Sequence, residues 1–537
     1  MRQGAVVNGF ESIAGQINIE LKKARKAEPL YANLYVNANG KTDLNLNLAR
    51  QLGKKWGTVL LLHDDFFYNR KMDFNKDGYR DLPTGNLFSV MNRWEYEDNK
   101  GVHSEFGFKV LTDNRTGGET MFVPAKDRYT TNYYGLGFRT RRYEGFAKTG
   151  YVFPGKKYKS FGLQLQAFHH RQDAYFGLRE YDAEQRSVYA NFIYQSIIGN
   201  SNHKFRTGLS FTGDRYREVL RNLPYSRNEA VPGGFFEYSL TAGPRLSLVA
   251  GIRADHNNLY SWFVTPRMHI RYVPFTGTTI RISAGRGQRT ANIFAENMAA
   301  LVSERDIVIL NGIAGKAYGL DPEIAWNKGI SADQRFRLFN REASLALDFY
   351  RNDFSNQVIT DIETSGEVRF YNLDGKSFSN SFQAELNMEP LYKLELRLAW
   401  RYFDVRSTYG GALLQKPLTA RHRAFANLAY EVRGWKFDYT INFNGQKRVP
   451  STSGNPPAYT RQTTSPSYWL MNAQISKTVG KKHPVDLYLG GENLTHFFQP
   501  DPIIAGDQPF SPYFDASLVW GPVGGRMIYA GLRYKIK

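Results

Sequence analysis

The chain has no cysteine among its 537 residues. That absence excludes a disulfide framework, a thiolate metal site and a cysteine nucleophile. No apolar run approaches the roughly 18 residues that a membrane-crossing helix needs; the candidate IVIL at 307–310 is cut short by Asn311. The opening residues, MRQGAVVNGF, contain no apolar core of a secretory leader. Acid is also in short supply, since 50 Asp and Glu against 70 Lys and Arg leave a net charge of +20. Such a balance admits nucleic acid, anionic lipid headgroups or an anionic solute as partner. The basic residues are scattered over the whole chain, with no basic tail or helix, which argues against nucleic acid. The hydrolase patterns GxSxG and HExxH do not occur, and GRGQR at 285–289 lacks the spacing and strand-to-helix context of a phosphate loop. No enzymatic activity is assigned.

What is present is an aromatic, alternating sequence. Phe, Tyr and Trp make up 15% of the chain, a share suited to strands and interfaces. From about residue 30 to the end, apolar and polar residues alternate with a period of two. LYANLYVNAN at 30–39 sends Leu30, Ala32, Leu34 and Val36 one way and Tyr31, Asn33, Tyr35 and Asn37 the other. In YKLELRLAWRYF, Leu394, Leu396, Leu398, Trp400 and Tyr402 oppose Glu395, Arg397 and Arg401. One face therefore meets water and the other lipid. A mean hydropathy of -0.49 is compatible with this, because a spanning barrel hides its apolar residues on alternate positions.

Connections alternate in length as well. Short turns are expected at 53–55, 97–101, 154–157, 199–202, 242–245, 274–278, 339–342, 389–393, 433–435 and 480–483. Longer polar stretches are expected at 67–85, 114–132, 216–233, 287–322, 447–466 and 495–524. Short on one side and long on the other is the layout of a bacterial outer-membrane barrel. The pattern predicts an all-β fold: a transmembrane antiparallel β-barrel of about 22 strands, whose lumen is wide enough to need a plug. The final strand carries Ile528, Ala530, Leu532, Tyr534 and Ile536 on one face. Gly531, Tyr534 and Ile536 resemble a C-terminal barrel-insertion signal, with Ile536 in the usual aromatic position.

GFESIAGQINIELKK at 9–23 resembles the last plug strand of TonB-dependent outer-membrane receptors, through Gly9, Ser12, Gly15 and Ile17-Asn18-Ile19. Further similarity runs through GRGQRTANIFAEN (285–297), DPEIAWNKGIS (321–331), FYRNDFSNQVITD (349–361), GGENLTHF (490–497) and the C-terminal stretch, which is similar to receptors from Bacteroidetes-like bacteria. The resemblance implies two parts: residues 1–26 as the end of the plug and its linker, and residues 27–537 as the receptor barrel. It implies a place in the cell outer membrane and energised uptake of a scarce small-molecule substrate, such as a ferric siderophore or a similar metal chelate. Outer-membrane lipid and lipopolysaccharide are the expected surroundings. The family's signal sequence, Ton box and most of its plug would precede residue 9, so the TonB complex is a partner expected of a full-length member. The alternative reading is a passive pore or a non-transporting fragment.

Four local features carry chemistry. In MDFNKDGYRD, Asp73, Asn75 and Asp77 alternate, Gly78 permits a tight turn, and Asp81 and the Tyr79 carbonyl follow. Calcium takes six to eight oxygens, and this spacing can wrap them around one ion. Thr84 stands where a full EF-hand loop has its bidentate Glu, so a plain Asx-rich loop is the alternative. Calcium is the only cofactor expected. Second, the stretch 287–322 is too long to be idle, and Arg289, Asn292, Glu296 and Asn297 on it are candidate substrate contacts. Third, His169 and His170 are neighbours on a strand and point to opposite faces, so they cannot chelate one ion together. Fourth, Arg267, Arg271, Arg281, Arg397 and Arg401 are expected in the lumen, because each sits between lipid-suited residues. There they would favour anionic solutes or pair with carboxylates such as Glu395, or with plug residues.

Overall fold

The computed structural model describes residues 6–536 apart from 12, 14, 16–18, 99 and 481–483. Twenty-four strands form one sheet, and it closes on itself where Leu30–Asn37 pairs antiparallel with Met527–Ile536, Leu30 against Ile536. Two staves are each interrupted: Ser261–Val264 and Arg267–Tyr272 both pair with Leu246–Asn257, and Ala412–Gln415 and His422–Val432 both pair with Leu394–Tyr409. The sheet is thus a barrel of 22 staves, as the alternation predicts. Closure leaves this sheet without a free edge and pairs its strands' backbone groups around the wall, which a bilayer demands.

The two faces sort by chemistry. Leu44, Phe108, Leu163, Leu165, Leu209 and Ile252 are apolar yet more than a third exposed, the outer-face chemistry of a membrane-spanning barrel. Near the short turns, rings gather on this outer face: Trp56 with Tyr96 (centroids 4.8 Å apart), Phe161 with Phe192 (6.4 Å) and Phe205 with Phe236 (5.9 Å). They form an aromatic girdle at one membrane boundary. The short turns lie at this end, which by the barrel rule is periplasmic.

The other end departs from the sequence-based expectation. Residues 216–233 are not a loop: Asn200–Leu220 and Leu223–Ala242 continue pairing up to a two-residue turn. Arg221 (φ 48°) and Asn222 (φ 64°) both adopt the left-handed conformation that a tight, twist-matched hairpin needs. Polar residues there mark strands that rise clear of the lipid, and polarity alone does not separate such a strand from a loop. For the same reason 114–118 and 287–289 belong to strands.

The long connections fold. Residues 290–322 contain two short helical turns, Ile293–Glu296 and Met298–Leu301, and the strand Asp306–Ile309. That strand joins Val358–Asp361 and Glu367–Asn372 in a separate three-stranded sheet. A core forms at this mouth: Phe176, Tyr181 and Leu220 from the wall pack on Ile293, Phe294 and Leu301 from one loop and on Val368 and Phe370 from another. Ile504 and Leu518 with Val449, and Phe514 with Tyr79 and Tyr134, extend it across the opening.

The N-terminal segment lies against the inner wall. Val6 and Val7 pack on Phe235, and Phe10 on Val231 and Phe263. Gly251 makes this approach possible, since a Cβ there would stand 2.5 Å from Val6 Cγ2. Ser12, Ile17 and Asn18, part of the plug-like motif, lie outside the described residues.

Candidate substrate chamber and acidic loop

Strand register decides what the lumen arginines do. Ile252, Met268, Ile282, Leu398 and Trp400 are exposed on the outer face, so by the pleat their neighbours Arg253, Arg267, Arg281, Arg397 and Arg401 point inward. Arg253 is buried against Asp255, 2.6 Å away, and donates to the Val6 carbonyl at 3.3 Å. Arg267 donates to the Phe10 carbonyl at 3.3 Å, and Asn191 to the Val7 carbonyl at 2.9 Å. This side of the lumen holds the N-terminal segment. Arg281 is taken by Asp333. Arg397 is taken by Glu385 at 3.0 Å and not by Glu395, because Glu385 on the next strand lies diagonally across the register.

Arg401 is different. Its register partner is Arg423, which also faces inward, since Leu428 and Tyr430 on that strand face out. Among the described residues neither guanidinium has a carboxylate in ion-pair reach; Arg401 lies 5.0 Å from the Phe403 ring centroid. Two like charges directly opposite on a sheet are destabilising. Arg423 was missed in the sequence, because only the pairing of Leu394–Tyr409 with His422–Val432, the second half of an interrupted stave, brings it to Arg401.

Above the lumen, the predicted contacts Arg289, Asn292 and Glu296 do come together. Arg289 makes a two-pronged pair with Glu296 (2.9 and 2.7 Å) and a further bond to Glu323 (2.6 Å). The Asn292 N–H donates to Glu296 at 3.0 Å, and the Asn292 side chain accepts from Arg227. Arg227 in turn reaches Glu229 (2.7 Å) and the Tyr318 hydroxyl (3.1 Å). Burial and the neighbouring Glu218 carboxylate push the Tyr318 phenol far up. Asn297 turns back to the Ile293 carbonyl at 2.8 Å and ends the helical turn. The network anchors residues 290–297 to the wall, with Arg289 already saturated by carboxylates.

The acidic loop is closed by its own backbone. Asp73 accepts from the N–H groups of Asp77 (3.1 Å) and Gly78 (3.0 Å), Asp77 from Tyr79 (2.8 Å), and Asp81 from Phe74 (2.6 Å). Gly78, at φ 87°, supplies the left-handed turn. Asn75 Nδ2 bridges to Asp77 Oδ2 (2.8 Å) and the Pro500 carbonyl (3.1 Å), while its Oδ1 is buried without a protein partner. Burial, then the charges of Asp73 and Asp77, push Asp81 up to about 6. The donor chemistry fits a hard cation. The convergence does not: among the described residues no group of three or more His, Asp or Glu side chains is arranged to hold a metal ion. His169 and His170 lie on consecutive positions of Ser160–Phe176, facing opposite sides of the wall.

The protein is a large closed β-barrel with arginines on the inner face of its wall and packed loops over its mouth. The chain belongs to the TonB dependent receptor-like β-barrel family, which matches residues 27–494. In fold it is similar to the ferric-catecholate import receptor Fiu from E. coli K12 (TM-score 0.71, 12% identity, 99% of this chain and 85% of that one). It is similar in the same way to the ferric enterobactin receptor PfeA from Pseudomonas aeruginosa (0.72, 14%, 99% and 84%). A third is the siderophore receptor PiuA from Acinetobacter baumannii (0.70, 14%, 99% and 85%).

Proposed function

We propose that this chain is the barrel of an outer-membrane receptor for TonB-dependent uptake of an anionic metal chelate, with a ferric siderophore as the leading substrate class. The observation that carries the reading is the opposed pair Arg401 and Arg423, two lumen cations with no carboxylate in ion-pair reach among the described residues. An anionic chelate relieves their repulsion and gains charge-assisted hydrogen bonds, each contributing about 1.5–3 kcal/mol. The fold neighbours Fiu, PfeA and PiuA, named as receptors for ferric catecholate, ferric enterobactin and a siderophore, agree with that chemistry. The packed core over the mouth favours a gated receptor over an open pore.

In this reading Arg289, Asn292, Glu296 and Asn297 form the roof of the chamber. They present loop 290–322 to the substrate and hold its base. Residues 1–26 are the end of the plug and its linker, with the Val6 and Phe10 carbonyls accepting from Arg253 and Arg267, and the inner-membrane motor acts through the plug. Calcium at the acidic loop would use Asp73, Asn75, Asp77, the Tyr79 carbonyl and Asp81, and requires the loop to rearrange, exchanging the backbone hydrogen bonds that now close it for the ion. Equilibrium binding of a ferric tricatecholate, followed by tryptophan fluorescence, tests the proposal on the wild type and on Arg401→Ala and Arg423→Ala.

A further inference from the structure

An asparagine followed by glycine carries latent chemistry, because glycine has no Cβ to shield its amide nitrogen from the asparagine side chain. Four such pairs occur in the chain, at 8–9, 39–40, 311–312 and 444–445. The fold ties down three of them. Asn8 ends the helical turn Val6–Asn8, which Val6 and Val7 pin against Phe235. The Gly40 N–H donates to the Asn37 carbonyl at 3.0 Å, and the Asn39 side-chain nitrogen is buried. Asn444 is itself buried, and the Gly445 N–H donates to the His422 carbonyl at 2.9 Å. Asn311 and Gly312 differ. Both are exposed, and among the described residues nothing accepts from the Gly312 N–H and nothing holds the Asn311 side chain.

The pair stands at the entrance of a tight loop in the cap. The Leu310 N–H donates to the Phe370 carbonyl (2.9 Å) and the Ile313 N–H to the Gly319 carbonyl (2.8 Å). Between these two fixed points Gly312 packs so closely on Gly319 that a Cβ there would stand 2.6 Å from the Gly312 Cα. Tyr318, just before it, holds a left-handed conformation (φ 52°, ψ 15°) that a bulky side chain rarely adopts, and its hydroxyl reaches Glu218 and Arg227. The reaction open to the pair needs only water. The Gly312 amide gives up its proton and its nitrogen attacks Asn311 Cγ; the Cγ–Nδ2 bond breaks, ammonia leaves and a five-membered succinimide closes. Water then opens the ring. Breaking the new Cγ–N bond yields Asp, whereas breaking the bond to the backbone carbonyl carbon yields isoaspartate, whose main chain runs through Cβ and Cγ. That product inserts a methylene into the backbone where Gly312 has no slack against Gly319.

We propose that Asn311 is a self-modifying site of the cap, and that its isoaspartate form loosens the clasp of residues 312–320 on Glu218 and Arg227. The test incubates the full chain in detergent in alkaline buffer, with folding monitored by heat-modifiable gel migration, and follows deamidation by mass spectrometry of the tryptic peptides 27–41, 306–316 and 437–447. In the folded protein the 306–316 peptide is expected to convert at least tenfold faster than the other two. In the urea-unfolded chain, where glycine follows each asparagine and no fold protects it, the three are expected to convert at similar rates. Gly312→Ala, whose Cβ would meet nothing nearer than 3.8 Å, is expected to slow conversion of 306–316 at least tenfold. Equal rates in the folded protein, the same ranking after unfolding, or an unslowed Gly312→Ala overturns the proposal. If Gly312→Ala does not fold, the folded and unfolded wild type decide. Limited proteolysis reads the consequence: protein enriched in isoaspartate is expected to be cut within 310–322 at least threefold faster than fresh protein, and equal cleavage overturns the loosening of the clasp.

Discussion

Arg305 Nε stands 2.8 Å from Asp515 Oδ2, both side chains buried, and so joins two loops that are 210 residues apart in sequence. The same guanidinium donates to the carbonyls of Ile362, Thr364 and Glu367 at 3.3, 3.1 and 3.3 Å. Three connections over the mouth therefore meet at one side chain. Removing one partner of a buried pair costs about 3–5 kcal/mol, because the other is left uncompensated. Arg305→Ala is expected to open the cap while the wall stays closed. Limited proteolysis should then cut within 357–376 or 493–526 at least tenfold faster, with heat-modifiable migration unchanged. Unaltered cleavage would show that the cap is held elsewhere.

Lipid contact predicts a different sensitivity. Leu209 is 69% exposed near the middle of an outward apolar run from Phe205 to Gly213. Arg at the bilayer midplane costs about 2–4 kcal/mol. Leu209→Arg should lower the stability of the bilayer-inserted barrel by that amount in urea titrations, while Leu209→Phe should be nearly neutral. A neutral Arg substitution would place this face in water and end the transmembrane reading.

For the acidic loop the sign follows from Asp81. Its carboxyl is pushed up to about 6 from an ordinary 3.8, so the folded loop binds the proton more tightly than the unfolded one. Protonation therefore stabilises the loop below pH 3.8, and that contribution is lost as pH rises to 6. Without calcium, cleavage within 68–83 should speed up between pH 4 and 7. Millimolar calcium should reverse this at pH 7 and have little effect at pH 4.5, where Asp81 holds its proton. Protection that is the same at both pH values, or absent at pH 7, would leave a plain Asx-rich loop.

The wall was legible in the sequence because lipid enforces it. A barrel residue facing hydrocarbon must be apolar and its neighbour need not be, so Leu394, Leu396 and Leu398 announced their strand, and the inward turn of Arg397 and Arg401 followed. Where lipid ends, that constraint ends. Tyr216 and Arg227 are paired strand residues above the membrane, yet both faces there are polar and read as loop. The sheet of 306–309, 358–361 and 367–372 was hidden for another reason: 306–309 pairs with 367–370 across about sixty residues, as Asp306 with Glu367, and local pattern carries no information about such partners. Of the candidate chamber, the sequence singled out Arg289, Asn292 and Glu296, which lie close in the chain and meet as neighbours; Arg227 joins them from a distant strand through Asn292, and Arg423 comes to Arg401 only through register.

The central claim is that the lumen recognises an anionic chelate through Arg401 and Arg423. Its most direct measurement is the dissociation constant of a ferric tricatecholate for the wild type, Arg401→Ala, Arg423→Ala and the double variant, on protein whose barrel is verified by heat-modifiable migration. Loss of one charge-assisted bond of about 1.5–3 kcal/mol predicts affinity weakened about tenfold to a hundredfold in each single variant. The double variant should be weaker still, and a neutral chelate of similar size should bind all four proteins poorly. Equal affinity across the four proteins, or no preference of the wild type for the anionic chelate over the neutral one, would contradict the account.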